Sequence, residues 1–174
     1  QDRLLAAGRL QRLAPGDQIV MAGSEEGGLL GFAAGCISSR HSTAPPEVPM
    51  TDLHLAPFWL ISRTILPGEA WVTTLTAQSP VVLLRIPRAS MVQMLTEDPL
   101  LNVHILRNIS AIFSRMTVAL SDALIRQPEQ RCAAVMLRII EQRFEGDTPA
   151  EIPIGQTELA GMANLSRQKV NEVL

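Results

Sequence analysis

The chain has 174 residues, of which 47% are hydrophobic and 18% charged, a balance that excludes intrinsic disorder and allows one domain or two small ones. A net charge of −2 argues against indiscriminate polyanion binding but says little about a local patch. The longest apolar stretch, near Gly28–Cys36, is far too short to span a bilayer. No charged-then-apolar leader opens the chain, so a cytoplasmic protein is expected. Gln1 rather than Met stands first, so the natural N-terminus is expected upstream.

Residues 8 to 86 read as a series of short strands. "RLQRLAPGDQIVMAGSEEGG" supplies two runs, broken by Pro15-Gly16-Asp17 and by Gly23–Gly28, both turn chemistry. "LLGFAAGCISS" is a third, and Gly31 and Gly35 inside it suit the bulges or tight corners of a rolled sheet. "RHSTAPPEVP" is a loop, because Pro45, Pro46 and Pro49 cannot join a central ladder. "LHLAPFWLI", "AWVTTLTA" and "PVVLLRIP" follow as further strands. Strands at this spacing predict an all-β roll, sandwich or barrel. Cys36 and Cys132 read as buried small hydrophobes in a reducing compartment, not as a disulfide.

From Arg88 the period becomes helical. "RASMVQMLTED" predicts a short helix, and Asp98-Pro99 opens a long one, with Asp98 as cap and Pro99 at the first helical position. It is expected to run to about Arg126. Ile105, Ile109, Ile112, Met116, Ala119 and Ala123 recur alternately four and three apart along it, an a/d seam. Leu106, Phe113, Leu120 and Leu124 flank that seam. Two apolar faces call for two partners, the chain's own β-domain and the same helix of a second subunit. One wide stripe on a single core is the simpler alternative.

"PEQRCAAVMLRIIEQRF" predicts the next helix, Pro128 to Phe144, with Ala133, Met136, Leu137 and Ile140 on one face. "EGDTPAEIPIG" is a loop with a short strand at Glu151–Ile154. Two short helices end the chain, Gln156–Ala163 and Ser166 to Leu174. Ala160 is small enough for a steep crossing, Asn164 tolerates a positive φ, and Ser166 can cap the second helix. That is the helix-turn-helix pattern, whose second helix enters the major groove. Its outward face carries Arg167, Gln168, Lys169, Asn171 and Glu172. Arginine can grip guanine and glutamine adenine in bidentate fashion. Lys169, the only lysine of the chain, suits a phosphate, as do Ser166 and the helix start. An ordinary solvated helical hairpin would look much the same.

The order of these parts resembles the cyclic-AMP receptor protein/FNR (CRP/FNR) family of bacterial transcription regulators. The resemblance covers essentially the whole chain and rests on "LAPGDQIVMAGSEEGGLLGFAAGCI", "QRCAAVMLRII" and "IPIGQTELAGMANLSRQKVNEVL". It implies an α+β chain: an antiparallel β-roll of the double-stranded β-helix or jelly-roll kind, a long dimerisation helix, and a winged helix-turn-helix. Residues 1–97 would be the effector-sensing roll, 98–126 the dimerisation helix and 127–174 the DNA-binding domain. The recognition helix would be cut short, with the wing beyond Leu174 and the family's first helix before Gln1. The family's base-reading arginine maps to Arg167. Its usual following glutamate is here Gln168, and an arginine often found one turn later is here Glu172, so base preference should differ. A palindromic double-stranded DNA site, a homodimer and contact with RNA polymerase are implied as well, with Gln127-Pro128 as hinge.

Cyclic-nucleotide binders of the family hold the phosphate with an upstream Gly-Glu motif and an Arg-Ser or Arg-Thr pair before Ala-x-Val. Here Ala70-Trp71-Val72 is intact but Gly68-Glu69 precedes it, and a carboxylate there repels an anionic phosphate. Cyclic AMP or GMP is therefore not expected in that mode. An iron–sulfur cluster needs about four thiolates, and the chain has two cysteines. Haem would draw on His41, His54, His104 or Cys36, each of which reads more simply as a surface or packed residue. Trp59, Ile61, Arg63, Glu69, Trp71, Met116 and Leu120 are the candidate lining of an effector pocket, or else core. An enzyme on a cupin-like barrel would need clustered metal ligands, and no His-x-His occurs; neither catalysis nor a metal is expected. The remaining alternative is a dimeric sensor or scaffold that acts through protein partners and has lost DNA binding, as Glu172 on the reading face would suggest.

Overall fold

Two runs that read as single strands are each divided between two sheets, and those divisions build the roll. The computed structural model describes residues 2–41, 51–61, 63–141 and 154–174. The strands are β1 (Arg9–Leu13), β2 (Gln18–Val20), β3 (Gly28–Ala34), β4 (Cys36–His41), β5 (Thr51–Leu55), β6 (Phe58–Ile61), β7 (Thr73–Ala77) and β8 (Val81–Pro87). "LLGFAAGCISS" is β3 and β4, split at Gly35, whose φ is +97°. A Cβ there would meet the Pro80 carbonyl oxygen at 2.4 Å, so only glycine makes this corner. "LHLAPFWLI" is β5 and β6, divided at the cis Ala56-Pro57 bond. In "AWVTTLTA" the strand begins only at Thr73.

Pairing is antiparallel throughout, in the orders β1-β8-β3-β6 and β2-β7-β4-β5. The predicted rolled β-sheet is thus observed, as two four-stranded sheets face to face. Ile19, Val20, Leu30, Phe32, Ile37, Leu75, Ala77, Val81 and Leu83 fill the space between them. Trp71 joins that core, and its indole Nε1–H donates to the Glu26 carbonyl at 2.6 Å. The outer face of the first sheet is covered too, and Leu29, Leu84 and Ile86 pack there on Met91 and Met94. Central strands buried on both faces read as continuous apolar runs rather than alternation. That explains "PVVLLRIP".

Helices do the covering: α1 (Asp2–Ala7), α2 (Arg88–Glu97) and the start of α3 (Pro99–Ala123). The opening helix was not foreseen, nor was a single 3₁₀ turn at Arg63–Ile65. Asp98 caps α3 as expected, accepting from the amides of Leu100 at 3.0 Å and Leu101 at 3.3 Å. The helix ends at Ala123 rather than near Arg126, and Leu124–Gln127 connect it to α4 (Pro128–Glu141).

The predicted buried face of α4 needs correction. Cys132, Val135, Arg138 and Ile139 are the buried ones, whereas Ala133 and Ile140 are exposed and Leu137 is 58% exposed. Both faces are apolar, and Arg138 disguised the one that is used. Residues 142–153 lie outside the described residues, and with them the rest of that predicted helix, most of the loop after it and all but Ile154 of the strand predicted at Glu151–Ile154; Ile154 itself is in no strand, and the centre of the proline-rich loop also lies outside.

Cys36 and Leu53 of the second sheet share a core with Cys132, Val135 and Ile139 and with the two last helices. The cysteines are buried there, as the sequence suggested, and neither is in a disulfide. On the same sheet the His54 ring contacts the Ser39 hydroxyl at 3.0 Å. Burial lowers its pKa from the ordinary 6.5; Asp52 opposes this, and Arg115, His41 and Arg138 reinforce it. The unfolded chain therefore binds the extra proton more readily. Stability should be complete above pH 6.5 and fall as the pH drops from there toward the lower folded-state value. Urea midpoints measured across that range should decline for the wild type and flatten in His54→Asn.

Candidate nucleic-acid interface

The last two helices are α5 (Gln156–Ala163) and α6 (Arg167–Val173). Leu159, Ala160, Met162 and Ala163 of α5 and Val170 of α6 are buried against each other and against α4. The small Ala160 lets the helices approach, as its position suggested. Asn164 ends α5 at φ 51°, ψ 52°, the left-handed conformation predicted for the turn, and the Leu165 amide then reaches back to the Ala160 carbonyl at 2.9 Å. A β-branched residue resists that conformation by about 1–2 kcal/mol. Asn164→Val should lose about that much in chemical denaturation, while Asn164→Gly should stay close to wild type.

Ser166 holds the start of α6, its Oγ accepting from the Lys169 amide at 3.1 Å. At the start of α5, the Glu158 carboxylate accepts from the Gly155 amide at 3.1 Å. Ser166, Arg167, Gln168, Asn171 and Glu172 are exposed, and Lys169 is half-buried. The five candidate DNA-reading residues, Ser166, Arg167, Gln168, Lys169 and Asn171, are thus brought together on one turn-and-a-half of helix. Two contacts were missed. Lys169 Nζ pairs with Glu172 Oε2 at 3.1 Å, a three-residue spacing that the sequence does contain. Asn171 Oδ1 accepts from Gln156 Nε2 at 3.0 Å, tying α6 to α5. Arg167 makes no ion pair among the described residues.

Beside this unit, α3 has no buried residue in the single chain. Of the candidate seam, Ile105, Ile112, Ala119 and Ala123 are half-buried, while Ile109 and Met116 are exposed. Leu106, Phe113, Leu120 and Leu124 are 64–75% exposed. Asn108 fixes the helix to β6, its Nδ2 donating to the Trp59 carbonyl at 3.1 Å.

The candidate effector residues are spread over different surroundings. Trp71 is core, Ile61 packs with α2 and the start of α3, and Met116 and Leu120 are exposed. Trp59 lies across Gly31, where a Cβ would come within 2.5 Å of its ring. Arg63 and Glu69 form an ion pair with each other. Of the candidate haem ligands, His41 and His54 stand on neighbouring strands, Cys36 is buried beneath α4 and His104 is exposed on α3. Among the described residues no three His, Cys, Asp or Glu side chains gather to hold a metal ion. None of the described helices is long and apolar enough to cross a membrane. A cleft of about 310 Å³ runs between the outer face of the second sheet and α5, bordered by Gln18, Ser38, Arg40, Thr76, Thr157 and Glu158.

No protein-family model and no curated protein matches the chain. Solved structures do. FixK2 from Bradyrhizobium japonicum superposes with a TM-score of 0.80 at 11% identity, over 95% of this chain and 82% of that one. The c-di-GMP-responsive global regulator CLP from Xanthomonas campestris gives 0.75 at 16%, over 99% and 87%. A CRP-family transcriptional regulator from Thermus thermophilus gives 0.76 at 17%, over 94% and 81%. The chain has the CRP/FNR fold. The β-roll, the long helix and the helix-turn-helix occur in the CRP/FNR order, as the sequence resemblance implied. The CRP/FNR structures it matches are of transcription regulators, not enzymes.

Proposed function

We propose that the protein is a homodimeric, sequence-specific DNA-binding regulator of transcription. The observation that carries this reading is the exposed polar face of α6, Arg167, Gln168 and Asn171, presented by a helix-turn-helix with its αL turn and serine cap. In a dimer built along α3, two such helices would reach successive major-groove faces, roughly 34 Å apart. Residues 1–97 would then act as sensor, 98–126 as dimer helix and 127–174 as reading unit. The exposed apolar strip of α3 supports the dimer, since a long apolar helix face needs cover. Of the expected seam, Ile109 and Met116 belong to that exposed strip, whereas Ile105 packs on the chain's own core with Leu29 and Met91 and is taken out of the interface.

Control by a cyclic nucleotide in the family's usual manner is not part of the reading. Against the family's motif Gly68 falls where the phosphate-binding arginine would stand and Glu69 replaces the serine or threonine after it, and the guanidinium of Arg63 is already paired with Glu69. Calorimetric titration with cyclic AMP and cyclic GMP should give no saturable heat.

The experiment that tests the function is selection from random duplex DNA by the complete gene product in physiological salt. An enriched palindrome supports the regulator. No enrichment, with or without cell extract as a source of effector, would favour the scaffold acting through protein partners.

A further inference from the structure

Arg138 lies on the buried face of α4, its side chain 10% exposed. Its guanidinium is held from two sides by different parts of the molecule. Nε donates to Asp122 Oδ2 at 3.1 Å, in the last turn of α3, and Nη1 donates to Asp52 Oδ1 at 3.2 Å, on β5. The same Asp52 oxygen accepts from the Leu53 amide at 2.9 Å, which fixes the carboxylate. One side chain therefore links the sensor sheet, the long helix and the first helix of the reading unit. The short covalent connection beside it is tied down as well: Arg131 Nη1 donates to the Ile125 carbonyl at 3.1 Å.

Such a buried cluster is weak evidence for stability, because desolvation offsets most of the Coulomb attraction. What it supplies is direction. The apolar contacts between α4 and β4–β5 are non-directional and would tolerate a slide or a small rotation. A guanidinium is planar and its donors are fixed in a fork, so two carboxylates on two separate elements define an orientation. The reading face of α6 remains exposed with both pairs formed, so the cluster orients that face rather than hiding it.

We propose that Arg138 is a positioning residue: through Asp52 and Asp122 it fixes α6 relative to α3, and so sets the half-site spacing that a dimer accepts. This rests on the DNA-reading function proposed above. In the test, the complete protein binds duplexes carrying two copies of the selected half-site, with the spacer varied one base pair at a time. The wild type should prefer one spacing. Arg138→Met, which keeps the length and packing of the side chain, should reduce that preference by about fivefold or more and leave affinity for a single half-site unchanged. Arg138→Lys should recover part of it, and Asp122→Asn, which leaves the arginine in place, should reduce it less. A wild-type spacing profile in Arg138→Met would overturn the proposal, as would an equal loss on single half-sites. If the wild type selects no DNA, the function reading fails by itself. The positioning role is then judged by limited proteolysis at Leu124–Gln127: faster cleavage in Arg138→Met upholds it, and unchanged cleavage overturns it.

Discussion

Arg167→Ala should weaken binding to the selected DNA by about 1–3 kcal/mol, about 5- to 150-fold, and blur one base position of the site. The size follows from the loss of a bidentate contact made at the exposed start of α6, where the side chain is committed to no ion pair among the described residues. Lys169→Ala should behave differently. Its ammonium neighbours the Glu172 carboxylate, and a phosphate contact carries no base identity. Affinity should fall by a similar factor on every sequence, with the salt dependence reduced by about one ion. Competition binding with single-base variants of the site, at two salt concentrations, separates the two patterns. Equal affinities for wild type and both variants would remove α6 from the interface.

The second large effect is expected on α3. Phe113→Ala with Leu120→Ala removes two side chains that are 70% and 64% exposed in the single chain, so folding should be unaffected in circular dichroism. In a two-fold dimer the same change removes four side chains from the interface. At about 1.5–3 kcal/mol for each buried apolar side chain, the loss is at least about 6 kcal/mol, roughly four decades in the dimer dissociation constant. Sedimentation velocity should show a monomer at micromolar protein, and affinity for the palindrome should collapse while single half-site binding persists. A variant that sediments as the wild type would mean that another surface makes the dimer, or that none is made.

These features differ in how openly the sequence displays them. The helix-turn-helix is local: Ala160, Asn164 and Ser166 act within a few residues of one another, and each does what its chemistry suggests. The Asp98-Pro99 start of α3 is legible for the same reason. Gly35 did signal a corner in "LLGFAAGCISS", but neither there nor in "LHLAPFWLI" is the change of sheet legible, because the strand keeps the same apolar character on either side of the glycine or proline. The face of α4 was misread because its choice depends on Asp52 and Asp122, which are distant in sequence. One local signal did exist: Arg138 falls in step with Cys132, Val135 and Ile139, and a charged residue on an apolar stripe implies a buried counter-charge. The lining proposed for an effector was drawn from strand and helix positions alone with core as its alternative, and for Trp71 the alternative holds.

The core beneath α4 has a consequence for how such a protein can be taken apart. Cys36 and Leu53 come from the roll, and Cys132, Val135, Ile139, Leu159 and Val170 from the helices, so no cut near residue 127 leaves either side with a finished interior. A chimera that joins this β-roll to the helix-turn-helix unit of another protein of the same fold would inherit half of a jigsaw. Shuffling of modules between such proteins should succeed only when the β4–β5 surface travels with its helices, which makes that strand pair, by inheritance, a part of the helical unit.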